Sequence, residues 1–311
     1  MFLFINRKIS VAVISSLVLT VSGCKQEDAF IPDSPLFSNQ TYNSTLTQKI
    51  TDRVNLVKKV VADTLTEIAP GVRQTTINYI NYSDKPMRLF IVEADLSNPN
   101  ITIKAATPNN APQFNKQLVT EMARRQDTVG SRVLVAINGD FFNVTTGEPQ
   151  SILYKNGVAI KQLFRLCTLC TFLSIDQSGV PSIVSKQRVP FIDSTKIQNA
   201  VGGFHWLVRD SVEVTQGDPS IEPRTAVGVS ANNIVYFVVV DGRKTDYSNG
   251  MSFSQLSDVF IALGVKDAIN LDGGGSSTLV VKQGTNFNVK NRPSDGVERV
   301  VANAITIVSR Q

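Results

Sequence analysis

The sequence predicts an α+β fold. Its core is β-rich, of mixed or antiparallel strands with flanking helices, in a single main domain over residues 70–311 preceded by an amphipathic helix over 45–69. Three observations lead there. Short apolar segments bounded by turn residues outnumber helical patterns. Helix and strand patterns do not alternate in the way a parallel βαβ sheet requires. No stretch repeats at a fixed period. With 42% hydrophobic and 18% charged residues in 311, there is apolar material for a sizeable core.

Taken in order, the chain opens with a basic segment ending in Arg7-Lys8, an apolar run from Ile9 to Thr20, and small residues leading to Cys24. That pattern is a secretory signal over 1–23 with the form of a bacterial lipobox. Its apolar part is short for a hydrocarbon layer of about 30 Å. The expectation is a chain tethered by lipid at Cys24 in the bacterial cell envelope. Residues 24–44, with Pro32 and Pro35 among Ser, Asn and Asp, read as the tether. Leu46, Ile50, Val54, Val57, Val61, Leu65 and Ile68 then recur at helical spacing up to Pro70-Gly71.

Beyond Gly71 strands dominate: Val72–Tyr82 and Met87–Asp95 around a turn at Ser83–Pro86, then Ile101–Thr107. A helix over Leu118–Arg125 precedes a strand over Arg132–Ile137. Short strands fill 151–184, broken at Asn156-Gly157 and Ser178-Gly179. Ala226–Val229 and Ile234–Val240 follow, a helix spans Ser252–Leu263, and Val300–Val308 closes the chain as a strand.

Charge and cysteine content bound the function. The formal charge is +5, and a chain beginning at Cys24 loses Arg7 and Lys8 and no acid, leaving +3. With no basic stripe interleaved with aromatics, a nucleic-acid partner is not expected. Cys167 and Cys170 form a C-x-x-C in an apolar, β-like setting, with His205 the single histidine. A zinc site wants about four ligands, so two buried thiols or a local disulfide are the readings, with no redox role.

Polar clusters gather at the ends of predicted strands, where loops present side chains on a rigid scaffold. They are Asn138-Gly139-Asp140-Phe141-Phe142, Glu222-Pro223-Arg224-Thr225-Ala226, Asp241-Gly242-Arg243, Asn270-Leu271-Asp272-Gly273-Gly274-Gly275-Ser276-Ser277, and Asn291-Arg292-Pro293-Ser294-Asp295-Gly296 through Glu298-Arg299. Each alone is an ordinary turn or a solvated charge. Together they supply carboxylates, arginines and a glycine-rich backbone that a ligand can approach closely.

In type and order these clusters resemble the phosphodiester glycosidases over roughly Pro70–Val308, most specifically in Asn270–Ser277 and the tail from Asn291 to Asn303-Ala304. Residues 70–311 are thus expected to form a phosphodiester glycosidase-like domain. Two positions depart from the family pattern: Glu222 stands where the family carries histidine, and His205 where a small residue or proline is expected. His205 reads as a core or rim residue.

The resemblance implies hydrolysis of a phosphodiester-linked glycan at the sugar C1–O bond, giving free sugar and a phosphomonoester. A phosphomonoester, with a second pKa near 6, leaves with less protonation than an alcohol does. Arginine forks suit its oxygens, and Arg224 and Arg243 are the candidates, with Arg292 also in the substrate-binding set. The amides of Gly273, Gly274 and Gly275 and the hydroxyls of Ser276 and Ser277 form a possible anion nest. Asn138, Gly139, Thr225 and Asn270 complete the substrate-binding set.

Asp272, and after it Asp140, are the candidate carboxylates facing the sugar carbon. Asp241 is assigned to orienting Arg243 or holding sugar hydroxyls, and Glu298 is an outside candidate. No cofactor is expected. A divalent cation held by Asp140, Asp241 and Asp272 would instead favour cleavage at phosphorus, and a glycan-binding protein without turnover is the reading from another class. No nucleophile elbow surrounds Ser276, so a serine hydrolase is not the expected class.

Overall fold

The computed structural model describes residues 41–163, 167 and 169–310. The signal segment 1–23, Cys24 and the tether as far as residue 40 lie outside the described residues. Among the described residues no helix is long and apolar enough to cross a membrane.

The segment 45–69 is not one helix. Helix α1 (Thr45–Arg53) is capped by Ser44, whose Oγ accepts from the Leu46 amide at 3.1 Å, and it buries Leu46 and Ile50. From Lys59 the chain is instead strand β1 (Lys59–Ala69). It pairs antiparallel with β2 (Val72–Ile80) from Lys59↔Ile80 to Ala69↔Val72, with Gly71 at φ 85° in the turn. The helical spacing is real but incidental. Val60, Val61, Thr64, Thr66 and Ile68 are β-branched and favour the pleated conformation. Val61 and Leu65, on the supposed apolar stripe, are exposed, so no buried helical face exists. Pro70-Gly71 turns a hairpin where the sequence suggested a helix stop.

β2 and β3 (Pro86–Asp95) form the expected hairpin, its turn fixed by Asn81 Oδ1 accepting from the Ser83 and Lys85 amides. The chain continues through β4 (Ile101–Ala106), α2 (Val119–Gln126), β5 (Arg132–Asn138), β6 (Leu153–Lys155), β7 (Val158–Lys161), β8 (Thr171–Asp176), β9 (Pro181–Ser185) and β10 (Ile197–Gly203). Then come β11 (Trp206–Arg209), β12 (Val212–Glu213), β13 (Arg224–Val229), β14 (Ile234–Val240) and α3 (Phe253–Leu263). The last strands are β15 (Asp267–Asn270), β16 (Leu279–Gln283), β17 (Asn286–Val289) and β18 (Ala304–Ser309). Cys167 and Cys170 are joined in a disulfide.

These strands build three antiparallel sheets, as the α+β reading expects. Their orders are β1-β2-β3-β14-β13-β15-β11-β12, β7-β6-β10-β8-β9 and β17-β16-β5-β18-β4. One apolar core takes Phe90, Val92 and Phe237 from the first sheet, Leu173 and Val201 from the second, and Val135, Ile137 and Ile305 from the third. Each such side chain contributes about 1.5–3 kcal/mol on burial. The outer face of the first sheet is covered by α1 and α3 through Ile50, Leu256 and Phe260, and that of the third by Val119 and Met122 of α2.

The consequence for the site is positional. β5 ends at Asn138, β15 at Asn270 and β10 at Gly203, while β13 begins at Arg224 and β18 at Ala304. The registers Ala304↔Asn138 and Ala226↔Asn270 bring these ends together.

Candidate active site

Asn138 is the knot of the site. Fully buried at the end of β5, it donates from Nδ2 to the Asp272 carbonyl at 2.6 Å, and its Oδ1 accepts from Thr225 Oγ1 and the Thr278 amide. The Asp272 amide donates to the Gly139 carbonyl at 2.9 Å, and Leu271 N to Thr225 O at 2.8 Å. Asn138 and Thr225 therefore frame the Asp272 backbone from beneath, where the sequence suggested substrate contacts. Gly139 is glycine because a Cβ there would overlap Asn303 Oδ1 and press on Val201.

The triple glycine is a tight turn, with Gly274 at φ 60° and its amide bonded to the Pro223 carbonyl. The Ser276 and Ser277 amides bond back to Gly273 and Gly274. Of the three glycine amides of the expected anion nest, that of Gly274 is thus spent inside the fold, and that of Gly273 faces the Asp272 carboxylate. The bare α-carbons serve another purpose: they let two guanidinium groups close on the turn. An ideal Cβ at Gly274 would lie 3.2 Å from Arg243 Nη2, and one at Gly275 would overlap Arg299 Nη2 and the Asp295 carboxylate.

On the Arg299 side lies a cavity of about 360 Å³ lined by Asp272, Ser276, Arg299, Lys116, Phe141 and Phe142, with Val144 and Val300 at its edge. This volume suits a small ligand. Asp272 is partly exposed to it. Burial pushes its carboxyl up to about 6, against the lowering effects of the Ser276 hydroxyl, the Arg299 charge and the Gly273 amide. Arg299 Nη1 reaches Ser276 Oγ at 3.5 Å, and its Nε donates to Asp295 at 3.0 Å. Lys116 Nζ donates to the Val144 carbonyl.

The other candidates have different positions. Asp140 is buried, with Oδ2 accepting from the Ser151 amide at 2.6 Å and Oδ1 without a partner among the described residues. Burial first, and then the neighbouring Asp272 charge, raise its carboxyl well above the usual range, while the Ser151 bond opposes this. It sits behind Asp272 without lining the cavity. Asp241 is buried and bound by Asn291 Nδ2, the Arg292 amide and the Tyr247 hydroxyl, so it neither orients Arg243 nor is presented to a sugar. Among the described residues no three carboxylate, imidazole or thiolate groups converge as for a metal. Asp140, Asp241 and Asp272 do not come together as one such group.

Glu298 takes the Thr120 amide and hydroxyl at 2.9 and 2.8 Å, capping the first turn of α2 from a distance. It is a structural carboxylate, as its acceptor geometry at a helix N-terminus explains.

Of the arginines, Arg224 is buried and donates to the Met251 and Ser220 carbonyls, with its guanidinium 3.9 Å from the Phe253 ring centroid. It props β13 against α3. Arg243 pairs with Glu222 at 2.5 Å on the far side of the glycine turn, and Arg292 is exposed over Tyr247, 5.2 Å from its ring centroid. Neither lines the cavity. Asn270 Nδ2 bonds the Leu271 carbonyl, and the Ser277 hydroxyl is buried without a partner among the described residues.

Comparison with known proteins fits this arrangement. The family model for phosphodiester glycosidase matches residues 131–308, more than half of the chain. The chain belongs to the phosphodiester glycosidase family.

Among relatives of this family, a bovine N-acetylglucosamine-1-phosphodiester alpha-N-acetylglucosaminidase is 26% identical over 70% of this chain and 40% of its own. An uncharacterised SPbeta prophage-derived protein, YomE, of Bacillus subtilis is 29% identical over 62% of this chain and 30% of its own. The chain thus matches less than half the length of these curated relatives. Among solved structures, the catalytic domain of the zebrafish enzyme, auto-inhibited by its pro-peptide, superposes with a TM-score of 0.59 at 19% identity, covering 80% of this chain and 87% of that one. A hypothetical protein from Synechocystis gives 0.58 at 15% identity, over 80% and 64%.

Within this family frame, the motifs of the sequence supply only part of the cavity's lining. Arg299, Lys116 and the Phe141-Phe142 pair line it with Asp272 and Ser276, and only Ser276 and Asp272 were singled out for chemistry. Arg299 lies at the end of a recognised motif, and its neighbour Glu298 drew the attention. His205 packs edge-on to Phe204 and against Phe253, the rim position expected of it, and desolvation lowers its pKa.

Proposed function

We propose that this chain hydrolyses a sugar-1-phosphodiester at the glycosidic C1–O bond, releasing free sugar and a phosphomonoester. One observation carries the reading. A carboxylate with a raised pKa of about 6, Asp272, shares a small cavity with two cations, Arg299 and Lys116, and two aromatic rings. The family relatives named for action on such a bond support it.

The sugar would rest its apolar face on Phe141 and Phe142, with its phosphate held by Arg299 and Lys116. As the C1–O bond breaks, both bonding electrons leave with the phosphate oxygen. The arginine fork and the ammonium stabilise that charge where it develops. Positive charge grows at C1, where the Asp272 carboxylate meets it. Water then adds to C1 and gives up its proton. A desolvated carboxylate is more basic than a solvated one, which suits Asp272 to this task near neutral pH. The Ser276 hydroxyl links Asp272 to Arg299 and keeps both in register.

The substrate class is a phosphodiester-linked glycan, met in the bacterial cell envelope by a protein tethered through lipid at Cys24. Asp272→Asn tests the mechanism. Turnover of a sugar-1-phosphodiester is expected to fall about 10²–10⁴-fold, with far-UV circular dichroism unchanged. An Asp272→Asn protein as active as the parent would remove this carboxylate from the reaction.

A further inference from the structure

Away from Asp272 a hollow of about 550 Å³ opens beside β11 and runs into another of about 380 Å³. The two share Ser185, Arg188, Trp206 and Arg209. Trp206 is the chain's one tryptophan and is half-buried. A register shift between Trp206 and Val208 in the pairing with β15 sends both Leu207 and Val208 into the core beneath α3. In a regular strand Trp206 and Arg209 would point to opposite faces; the irregularity leaves them together. The Arg209 guanidinium lies 5.5 Å from the centre of the indole, within cation–π range.

Arg188 is exposed on the 3₁₀ segment Lys186–Phe191 and lines both hollows. No carboxylate lines the larger hollow, whereas Asp210 and Asp267 line the smaller one, Asp210 lying 4.0 Å from Arg209, so the larger hollow is the place for an anion. The connection to the reacting carboxylate is short: the ring of Phe204, two residues before Trp206, packs tilted against that of Phe141 at 5.7 Å between centroids, and Phe141 lines the Asp272 cavity.

An indole beside two arginines suits a sugar ring that carries negative charge. The C–H face of the ring covers the aromatic surface, and the planar guanidinium groups take the anion. A neutral glycan could take hydrogen bonds from the arginines, but an anionic one also uses their charge. A single sugar phosphodiester would be accommodated by the 360 Å³ cavity alone.

We propose that this cleft is a subsite for an anionic polysaccharide, seating a sugar ring against Trp206 and a bridging phosphate between Arg188 and Arg209. The protein then favours phosphate-bridged chains, the subsite adding affinity that an isolated sugar phosphodiester does not use. The link to turnover rests on the function proposed above; binding in the cleft does not.

The test measures calorimetric affinity of the purified protein for a phosphate-bridged capsular polysaccharide, for polygalacturonate and for dextran sulfate. In parallel it follows hydrolysis of a small methyl sugar-1-phosphodiester. The expected result is preferential binding of the phosphate-bridged chain. Trp206→Ala and Arg188→Gln should each weaken that binding about tenfold or more while small-substrate hydrolysis stays within about twofold. Trp206→Phe, which keeps an aromatic face, should retain most of the affinity and exclude a folding defect as the cause. Equal affinity in the Trp206 and Arg188 variants would overturn the proposal. So would tighter binding of polygalacturonate, or binding of dextran sulfate on the same terms with no response to Trp206→Ala. Should no sugar phosphodiester be hydrolysed while the binding pattern holds, the catalytic reading fails and the subsite stands.

Discussion

At the residue scale, Asp272 combines a fixed backbone with a poorly solvated side chain. Asn138 and the Gly139 carbonyl hold its main chain from below, and burial keeps its carboxyl protonated up to about pH 6. Two pH effects follow. As the ionised form is the one that meets C1, kcat/KM should rise with pH through about 6 and level off above it; a rate that falls through the same range would assign Asp272 the role of an acid. For stability the sign is opposite. The folded state retains this proton after the unfolded chain has lost it near pH 3.9. The contribution is therefore complete below about pH 4 and lost as pH rises through about 6. Asp272→Asn removes that cost, so its melting temperature should exceed the parent's at pH 7.5 by about 2–4 °C and match it near pH 4. These residues were legible in the sequence to the extent that they sat in dense motifs. Asp272 beside three glycines could be singled out, but the burial of Asp140 and the sealing of Asp241 by Asn291 and Arg292 arise from contacts far apart in sequence.

Elements decide which charged groups face the cavity. The glycine turn admits Arg299 on one side and Arg243 on the other, and a methyl group at Gly275 would collide with the guanidinium of Arg299 and the Asp295 carboxylate. Gly275→Ala should therefore lower kcat/KM by about tenfold or more through displacement of that guanidinium, with a melting temperature close to the parent's. A large loss of stability at unchanged kcat/KM would show that the turn and not the arginine is what glycine protects. Glu298 provides the converse case. Its carboxylate bonds Thr120 at the start of α2, so Glu298→Ala should cost about 1–2 kcal/mol in denaturant unfolding. Catalysis by the residual folded protein should be unchanged, and a selective loss of turnover would restore Glu298 as a catalytic candidate. From sequence, Glu298 and Arg299 are adjacent charges with nothing to rank them; only the docking of α2 separates their roles. Residues 59–69 show the same limit. A 3.6-residue apolar spacing coexisted with β-branched residues, and pairing with β2 decided the outcome.

For the whole molecule, the α+β class and a β-rich core of mixed or antiparallel strands followed from local patterns, since turn signals and short apolar runs are local properties. That every pairing is antiparallel came from the structure. Sheet order was beyond reach. β14 inserts between β3 and β13, and β5 between β16 and β18, pairings set by the shared core of three sheets and not by any neighbouring sequence. That order nevertheless creates the site, because it gathers the ends of β5, β13, β15 and β18 around Asp272. The central claim is that this site breaks the bond between C1 and oxygen and not the bond to phosphorus. Hydrolysis of a sugar-1-phosphodiester in ¹⁸O-labelled water, read by mass spectrometry of both products, tests it most directly. The account predicts label in the anomeric hydroxyl of free sugar and an unlabelled phosphomonoester. Sugar-1-phosphate among the products, or label in the phosphate, would contradict it.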